Sequence, residues 1–283
     1  MAFAEDLADL CDITSTATVP ADTIATVNIA AREEGRLAGL VLLPIVYRIL
    51  CERESVAEST VSIQLKKTDG DQLSPGEIVA SVTGPVRILL TGERTILNFL
   101  IHLSGIASLT NQFVQQAEGS KAVILDTRKT LPGYRLLHKY AVRCGGGVNH
   151  RMGLYDGMLI KDNHLAARGN SSVANAVTDA RSWLNEQGLQ VPVELEVDNL
   201  DQLKTCLAAK PEIVLLDNMT TDQLREAITI RNELSADTLL EASGGVNLRT
   251  VAGIAATGVD RISIGALTHS AKALDLGFDW PWS

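Results

Sequence analysis

The sequence predicts an α/β protein whose C-terminal part is built from repeated strand–helix units, and two observations carry that prediction. After residue 120, short apolar runs alternate with amphipathic stretches long enough to cross back over a sheet, which makes neighbouring strands parallel. Each run also ends in polar residues or glycine, always on its C-terminal side. Composition agrees: 46% hydrophobic and 21% charged residues are the proportions of a folded chain. Only 4% of residues are aromatic, so the core is expected to be mainly Leu, Ile, Val and Ala.

From the N-terminus, Ile24 to Glu34 reads as a helix. Strand-like pieces follow at Gly39–Leu43, Ser59–Lys66 and Glu77–Thr83, with Gly70 and Pro75-Gly76 as turns between them. A long helix is predicted from Arg87 to Gln116, with Ile96, Phe99, Leu100, Leu103 and Ile106 at helical spacing. The pattern changes near residue 112, which divides the chain into expected domains 1–112 and 113–283. The later apolar runs are Ala122–Leu125, Gly157–Ile160, Val191–Val197, Ile213–Leu216, Thr238–Leu240 and Arg261–Ile264. Amphipathic stretches at Ser172–Gln187, Leu200–Ala209, Thr221–Leu234 and Leu248–Ala256 connect them.

Periodicity alone fits a closed barrel or an open doubly wound sheet. The polar strand ends favour the barrel, because in a barrel all of them converge on one mouth, whereas in an open sheet only those at the switch point meet.

A net charge of −9 argues against general affinity for nucleic acid or an anionic membrane. The apolar stretch Leu37–Leu50 contains Pro44 and Arg48 and falls short of the ~20 residues a spanning helix needs, so it is read as core. Cys11, Cys51, Cys144 and Cys206 form no CxxC pair, which fits free thiols, and the N-terminus lacks a signal-peptide pattern. A cytoplasmic location is the expectation. No GxGxxG, Walker A, GxSxG or HExxH motif occurs.

The densest chemical signal is Asp126–His164, with seven of the 25 Lys and Arg and only three acids. Arg135, Lys139 and Arg143 recur every four residues on a predicted helix and are expected to face water. Arg128, Lys129, Arg151 and Lys161 end strands or sit beside glycines, so they are expected to face the mouth and bind a ligand with several negative charges. Ser243-Gly244-Gly245 lies between a strand and a predicted helix start near Leu248, a place where backbone N–H groups accept phosphate, and Gly265 ends the next strand. Glu196 and Asp217, at neighbouring strand ends, suit either Mg²⁺ or the positive charge that develops on a ribosyl carbon as pyrophosphate departs.

The stretch DTRKTLPGYRLLHKYAVRCGGGVNHRMGLYDGMLIKDNH (Asp126–His164) closely resembles the quinolinate phosphoribosyltransferase family. The likeness extends to DITS (Asp12–Ser15), GERTILNFLIHLSGIAS (Gly92–Ser108), ELEVDNL (Glu194–Leu200), LLDN (Leu215–Asn218), EASGGV (Glu241–Val246) and SIGALTHS (Ser263–Ser270). The resemblance implies a sandwich-like N-terminal α/β domain, a C-terminal incomplete parallel α/β barrel, and a homodimer with shared active sites. It implies transfer of phosphoribosyl from phosphoribosyl pyrophosphate to quinolinate with decarboxylation, in NAD biosynthesis, with Mg²⁺ and no organic cofactor. On this resemblance Arg94 reaches the partner's site, and Arg128, His150, Arg151 and Lys161 bind quinolinate. Lys129 sits between the substrates, with Lys129 or Lys161 as proton donor. Glu196 and Asp217 serve the ribose and metal, and Ser243, Gly244, Gly245 and Gly265 hold the 5′-phosphate. Glu196 is preferred to Glu194 because its spacing to Asp217 matches the family. The alternatives are a molybdenum-linked paralogous pyrophosphorylase and a non-catalytic sensor of a phosphorylated ligand.

Overall fold

The structure, a computed structural model, describes residues 1–169 and 173–282. The chain folds into two compact units. The first comprises Met1–Leu109, Arg143–Gly146 and Ala271–Ser283, and the second Thr110–Val142 and Gly147–Ser270. The expected division at 112 therefore lies close to the break at 109/110. It does not include the return of the last residues to the first unit.

The first unit opens with two short helices, α1 (Ala2–Leu7) and α2 (Ile13–Thr18). Asp12 caps α2 by accepting the Ser15 N–H at 3.0 Å, so the DITS motif is a helix start. Ile24–Glu34, expected as a helix, instead contains strand β1 (Ile24–Ala31). Its β-branched residues Ile24, Thr26, Val27 and Ile29 favour extended backbone. It pairs antiparallel on both edges, with β5 (Ile78–Pro85) and with β12 (Leu276–Asp279) from the far end of the chain. That long-range pairing outweighs an alanine content that suggests helix. A short pair, β2 (Gly35–Arg36) and β4 (Gln72–Leu73), lies apart, and β3 (Ser62–Leu65) adds to β5, giving the order β12-β1-β5-β3.

Gly39–Leu43 is also not a strand. Gly39 adopts a left-handed φ of +107°, and the chain enters a 3₁₀ turn at Leu40–Leu42 and then α3 (Leu43–Arg53). Asp69 accepts the Leu40 N–H at 2.9 Å, and Pro44 sits in the first turn of α3, where its missing N–H costs nothing. Val46, Tyr47, Leu50 and Cys51 of α3 pack into the apolar core of this unit, as expected for Leu37–Leu50. The long helix α4 (Val86–Gln116) matches its predicted span. A Cβ at Gly105 would collide with the Lys272 backbone, so this glycine admits the C-terminal segment against the helix.

The second unit contains six parallel strands: β6 (Val123–Leu125), β7 (Met158–Ile160), β8 (Val193–Val197), β9 (Ile213–Asp217), β10 (Leu239–Ser243) and β11 (Arg261–Ser263). Their order is β6-β11-β10-β9-β8-β7. Every strand from β7 to β11 neighbours the next in sequence, and β11 closes onto β6. A doubly wound sheet would reverse direction at a switch point; this order winds one way, as a barrel does. Between β6 and β7 a single bridge, Leu125 to Val148, stands in for a ladder, so the barrel is incomplete. The helices are α5 (Arg135–Cys144), α6 (Asp162–Ala167), α7 (Val173–Glu186), α8 (Leu200–Leu207), α9 (Thr221–Leu234), α10 (Val251–Ala255) and α11 (Ala266–His269). The expected helix start at Ser172 lies outside the described residues, and α10 begins three residues after Leu248.

Strand alternation sorts the barrel residues. In β8, Val193, Leu195 and Val197 are buried on one face while Glu194 and Glu196 occupy the other. The same period places Asp217, Glu241, Ser243, Arg261 and Ser263 on the face shared with those glutamates. Among the described residues no helix is long and apolar enough to cross a membrane.

Candidate active site

The carboxyl ends of the strands surround a cavity of about 800 Å³ in the second unit. Its lining includes Arg128, Lys129, His150, Arg151, Lys161, Glu196, Asp217, Ser243, Gly244, Gly245 and Gly265, so residues chosen from strand ends and motif meet in one place. Arg94 belongs to the first unit, on α4, where it is exposed. Asn218, Glu241 and His269 also line the cavity, beyond the residues expected from the sequence. Glu241 follows from strand alternation, and all three lie inside motifs quoted above.

The cations are held by the barrel backbone and by one another. Arg151 donates from Nη1 to the Gly157 carbonyl at 2.9 Å. Burial, and then the charge of Arg128, lower the pKa of Arg151, so two guanidinium groups share a space that favours an anion between them. Among the described residues the buried Arg128 Nε has no hydrogen-bond partner, which leaves a donor for a ligand. Lys161 Nζ is 2.5 Å from Glu196 Oε2, and both reach the cavity. Lys129 is exposed at the mouth, its carbonyl accepting the Thr268 hydroxyl at 2.8 Å.

Lys139 overturns the expectation of a solvated helical face. Its side chain is 1% exposed and its ammonium pairs with the fully buried Asp126. It also donates to the His150 carbonyl at 2.9 Å. Asp126 in turn accepts the His150 N–H at 2.9 Å and the Asn149 amide at 2.6 Å. The pair therefore staples the 149–151 segment that presents His150 and Arg151. Arg135 is half-buried and bonds Thr130 Oγ1 and the Met152 carbonyl, each at 3.1 Å, whereas Arg143 is exposed as expected. The i, i+4 spacing does mark a helix, but the face Lys139 occupies meets the barrel.

At the glycine turn, Gly244 and Gly245 have φ of +90° and +62°. A Cβ on Gly244 would strike the Asn218 side chain, so the turn is closed to other residues and keeps its backbone near the cavity. A Cβ on Gly265 would lie 2.8 Å from Lys129 Cδ and 3.2 Å from His269 Nε2. These are backbone surfaces a phosphate can approach closely.

Glu196 and Asp217 are oxygen donors on adjacent strands facing one cavity, which suits Mg²⁺, an ion commonly held by one or two carboxylates plus substrate phosphates. A different set, His150, Glu194 and Glu241, brings its ligand atoms within 4.8 Å of one another. His150 Nε2 lies 3.1 Å from Glu194 and 3.5 Å from Glu241, and Arg261 Nε lies 2.7 Å from Glu241. Protonated His150 and Arg261 already balance the two carboxylates there. Burial opposes the imidazolium, but hydrogen bonds and charge from Glu194 and Glu241 prevail and push the His150 pKa up to about 9. Burial and the neighbouring Glu241 charge raise the pKa of Glu194; burial also acts to raise Glu241, but His150 and Arg261 bring it below its ordinary value.

An incomplete α/β barrel with cations, open glycine backbone and paired acids at its mouth defines an enzyme that handles a phosphorylated, multiply anionic substrate. The chain matches the family models for the quinolinate phosphoribosyl transferase N-terminal domain over residues 12–104 and C-terminal domain over 106–279. It is 46% identical over 278 residues to nicotinate-nucleotide pyrophosphorylase [carboxylating] of Mycobacterium leprae (strain TN), covering 98% of this chain and 94% of that one. It is 42% identical to the probable enzyme of that name from Bacillus subtilis (strain 168), over 89% and 82% of the two chains. The solved nicotinate-nucleotide pyrophosphorylase of Francisella tularensis superposes with a TM-score of 0.87 at 39% identity, covering 99% of this chain and 93% of that one. The chain belongs to the quinolinate phosphoribosyltransferase family.

Proposed function

We propose that this chain transfers phosphoribosyl from phosphoribosyl pyrophosphate to the ring nitrogen of quinolinate and releases nicotinate mononucleotide, pyrophosphate and CO₂, a carboxylating nicotinate-nucleotide pyrophosphorylase activity of NAD biosynthesis. The carrying observation is that the candidate cations, acids and glycines from six strand ends line one cavity, in a chain with close relatives of that name.

Arg128, His150, Arg151 and Lys161 bind the two quinolinate carboxylates, and forked guanidinium groups suit that geometry. Ser243, Gly244, Gly245 and Gly265 receive the 5′-phosphate. Glu196 and Asp217 would hold Mg²⁺, which would supply charge neutralisation to the pyrophosphate. The same carboxylates face the ribosyl carbon as the bond to pyrophosphate breaks and the bond to nitrogen forms. Lys129 lies between the two substrates. The alkylated nitrogen is positively charged and accepts the electron pair as the adjacent carboxylate leaves as CO₂. The ring carbon then takes a proton from Lys129 or Lys161. The protein contributes position and desolvation rather than a covalent intermediate.

The enzyme works as a cytoplasmic homodimer in which Arg94 completes the partner's site. Its exposure on α4, outside the unit that holds the cavity, supports that reading. The primary test is mass spectrometry of purified protein with quinolinate, phosphoribosyl pyrophosphate and Mg²⁺. Nicotinate mononucleotide that depends on all three is the expected result, and its absence would remove the assignment. Mixing inactive Arg94→Ala with inactive Lys129→Ala tests the shared site, since only a shared site recovers activity on subunit exchange.

A further inference from the structure

We propose that Glu194, Glu241 and Arg261 are positioning residues that hold the His150 ring as a fixed cation directed at the acceptor carboxylates, an inference that rests on the quinolinate reading of the site. Neither the sequence pattern nor the family resemblance gives any of the three a role.

The interior of an α/β barrel is ordinarily filled with layers of branched aliphatic side chains. Here one layer is charged instead, although Glu194 is 3% and Glu241 0% exposed. His150 Nε2 sits 3.1 Å from Glu194 Oε2 and 3.5 Å from Glu241 Oε1, while Arg261 fills the other oxygen of Glu241 at 2.7 Å. Two carboxylates, one guanidinium and one imidazolium sum to zero, so the layer is neutral when it holds one proton, which His150 and Glu194 share across their 3.1 Å contact. Loss of that proton would leave one buried negative charge uncompensated.

The layer also forms a wall. Glu194 and Arg261 line a second cavity of about 280 Å³, Glu241 lines the larger one, and His150 lines both. His150 is therefore the member through which Glu194 acts on the reaction cavity. Its backbone is fixed independently by Asp126 and Lys139. Burial opposes its charge, and the carboxylates beneath are what maintain it.

The second ring nitrogen also has a partner. The Arg151 N–H lies 2.8 Å from Nδ1, a contact that favours a neutral ring. Two carboxylates outweigh one amide dipole, because charge-assisted hydrogen bonds are roughly twice as strong as neutral ones.

The test is steady-state kinetics in both substrates for wild type, Glu194→Gln, His150→Asn and the double variant, with thermal midpoints recorded. Glu194→Gln is expected to raise the quinolinate KM about tenfold while the phosphoribosyl pyrophosphate KM stays within about twofold. In the His150→Asn background the same change is expected to add less than about threefold, because the interaction it removes is already gone. Glu194→Asp, which keeps the charge, should recover part of the affinity. An unchanged quinolinate KM, equal rises in both KM values, or full additivity with His150→Asn would overturn the proposal. If Glu194→Gln does not fold, Glu241→Gln, which removes the other carboxylate beside His150, carries the same cycle with the same outcomes. Wild type without turnover defeats the quinolinate reading; wild type with turnover and an unaffected variant defeats only the positioning role.

Discussion

The two units are filled by opposite means. The interior of the first is aliphatic and aromatic, with Val27, Ile29, Leu50, Leu73, Val82, Leu89 and Leu100 essentially without exposure. In the second, buried aliphatic side chains such as Leu195, Val214 and Leu216 occupy one face of the strands, and the opposite face carries Glu194, Glu196, Glu241 and Arg261. Burying apolar area stabilises a fold without specifying chemistry, whereas buried charge costs stability unless each group is paired. The barrel therefore buries aliphatic side chains in its outer layer and places its charges on the inner face, beside Ile213 and Leu215. The first unit makes no such division.

The comparison breaks most severely where the inner charges face the cavity. Lys161→Ala is expected to lower kcat/KM by about a thousandfold, ~4 kcal/mol, with little change in thermal midpoint, as read by steady-state kinetics and calorimetry. A comparable loss that comes with unfolding would mean that this charge stabilises the fold instead.

Lys139→Met tests the structural charges. Removing one member of a buried pair costs about 3–5 kcal/mol, and denaturant unfolding should show a loss in that range. The sign with pH is definite. Unpaired, the buried Asp126 has a folded pKa above its unfolded value, so the folded state binds the proton more tightly and the penalty shrinks as pH falls. In the apolar unit, Leu50→Ala should cost about 2–5 kcal/mol with no such dependence between pH 5 and 8. Equal pH dependence of the two penalties would erase the distinction between the interiors.

Asp260 sharpens the comparison at the barrel's edge. It accepts the Leu240 N–H at 2.9 Å and pairs with Arg231 at 3.0 Å and Lys121 at 2.6 Å. Although burial acts to raise its pKa, those partners hold it below the ordinary 3.8. A depressed folded pKa means that the stabilisation is complete well above 3.8 and is lost as pH falls through the folded value. Asp260→Asn should therefore cost about 1–2 kcal/mol at neutral pH and nothing in strong acid, by urea titration at both. The smallest effect is expected for Arg225→Ala, which removes an exposed pair with Asp222 and should change stability by less than about 0.5 kcal/mol.

Much of the second unit is legible in the sequence because its signals are local. Each parallel strand is a short apolar run with a polar end, and that order survives folding, so eleven residues expected at the site line one cavity. The first unit is less legible. Whether Ile24–Ala31 extends depends on pairing with residues 78–85 and 276–279, which no local window contains. Lys139 shows the same limit: helical spacing gives a face but not its neighbour, and here the neighbour is the buried Asp126. Glu194 and Glu196 share a strand face, yet only the fold distinguishes them, pairing one with His150 in the interior and the other with Lys161 at the mouth.

Residue order thus established the parallel barrel, its charged mouth and the family, since periodicity, strand ends and motifs are properties of neighbouring residues. Tertiary structure decided which charges face the cavity and which pair with one another, since pairing and burial depend on residues distant in sequence. The return of Leu276–Asp279 to the first sheet and the neutral layer of His150, Glu194, Glu241 and Arg261 exist only once the chain is closed.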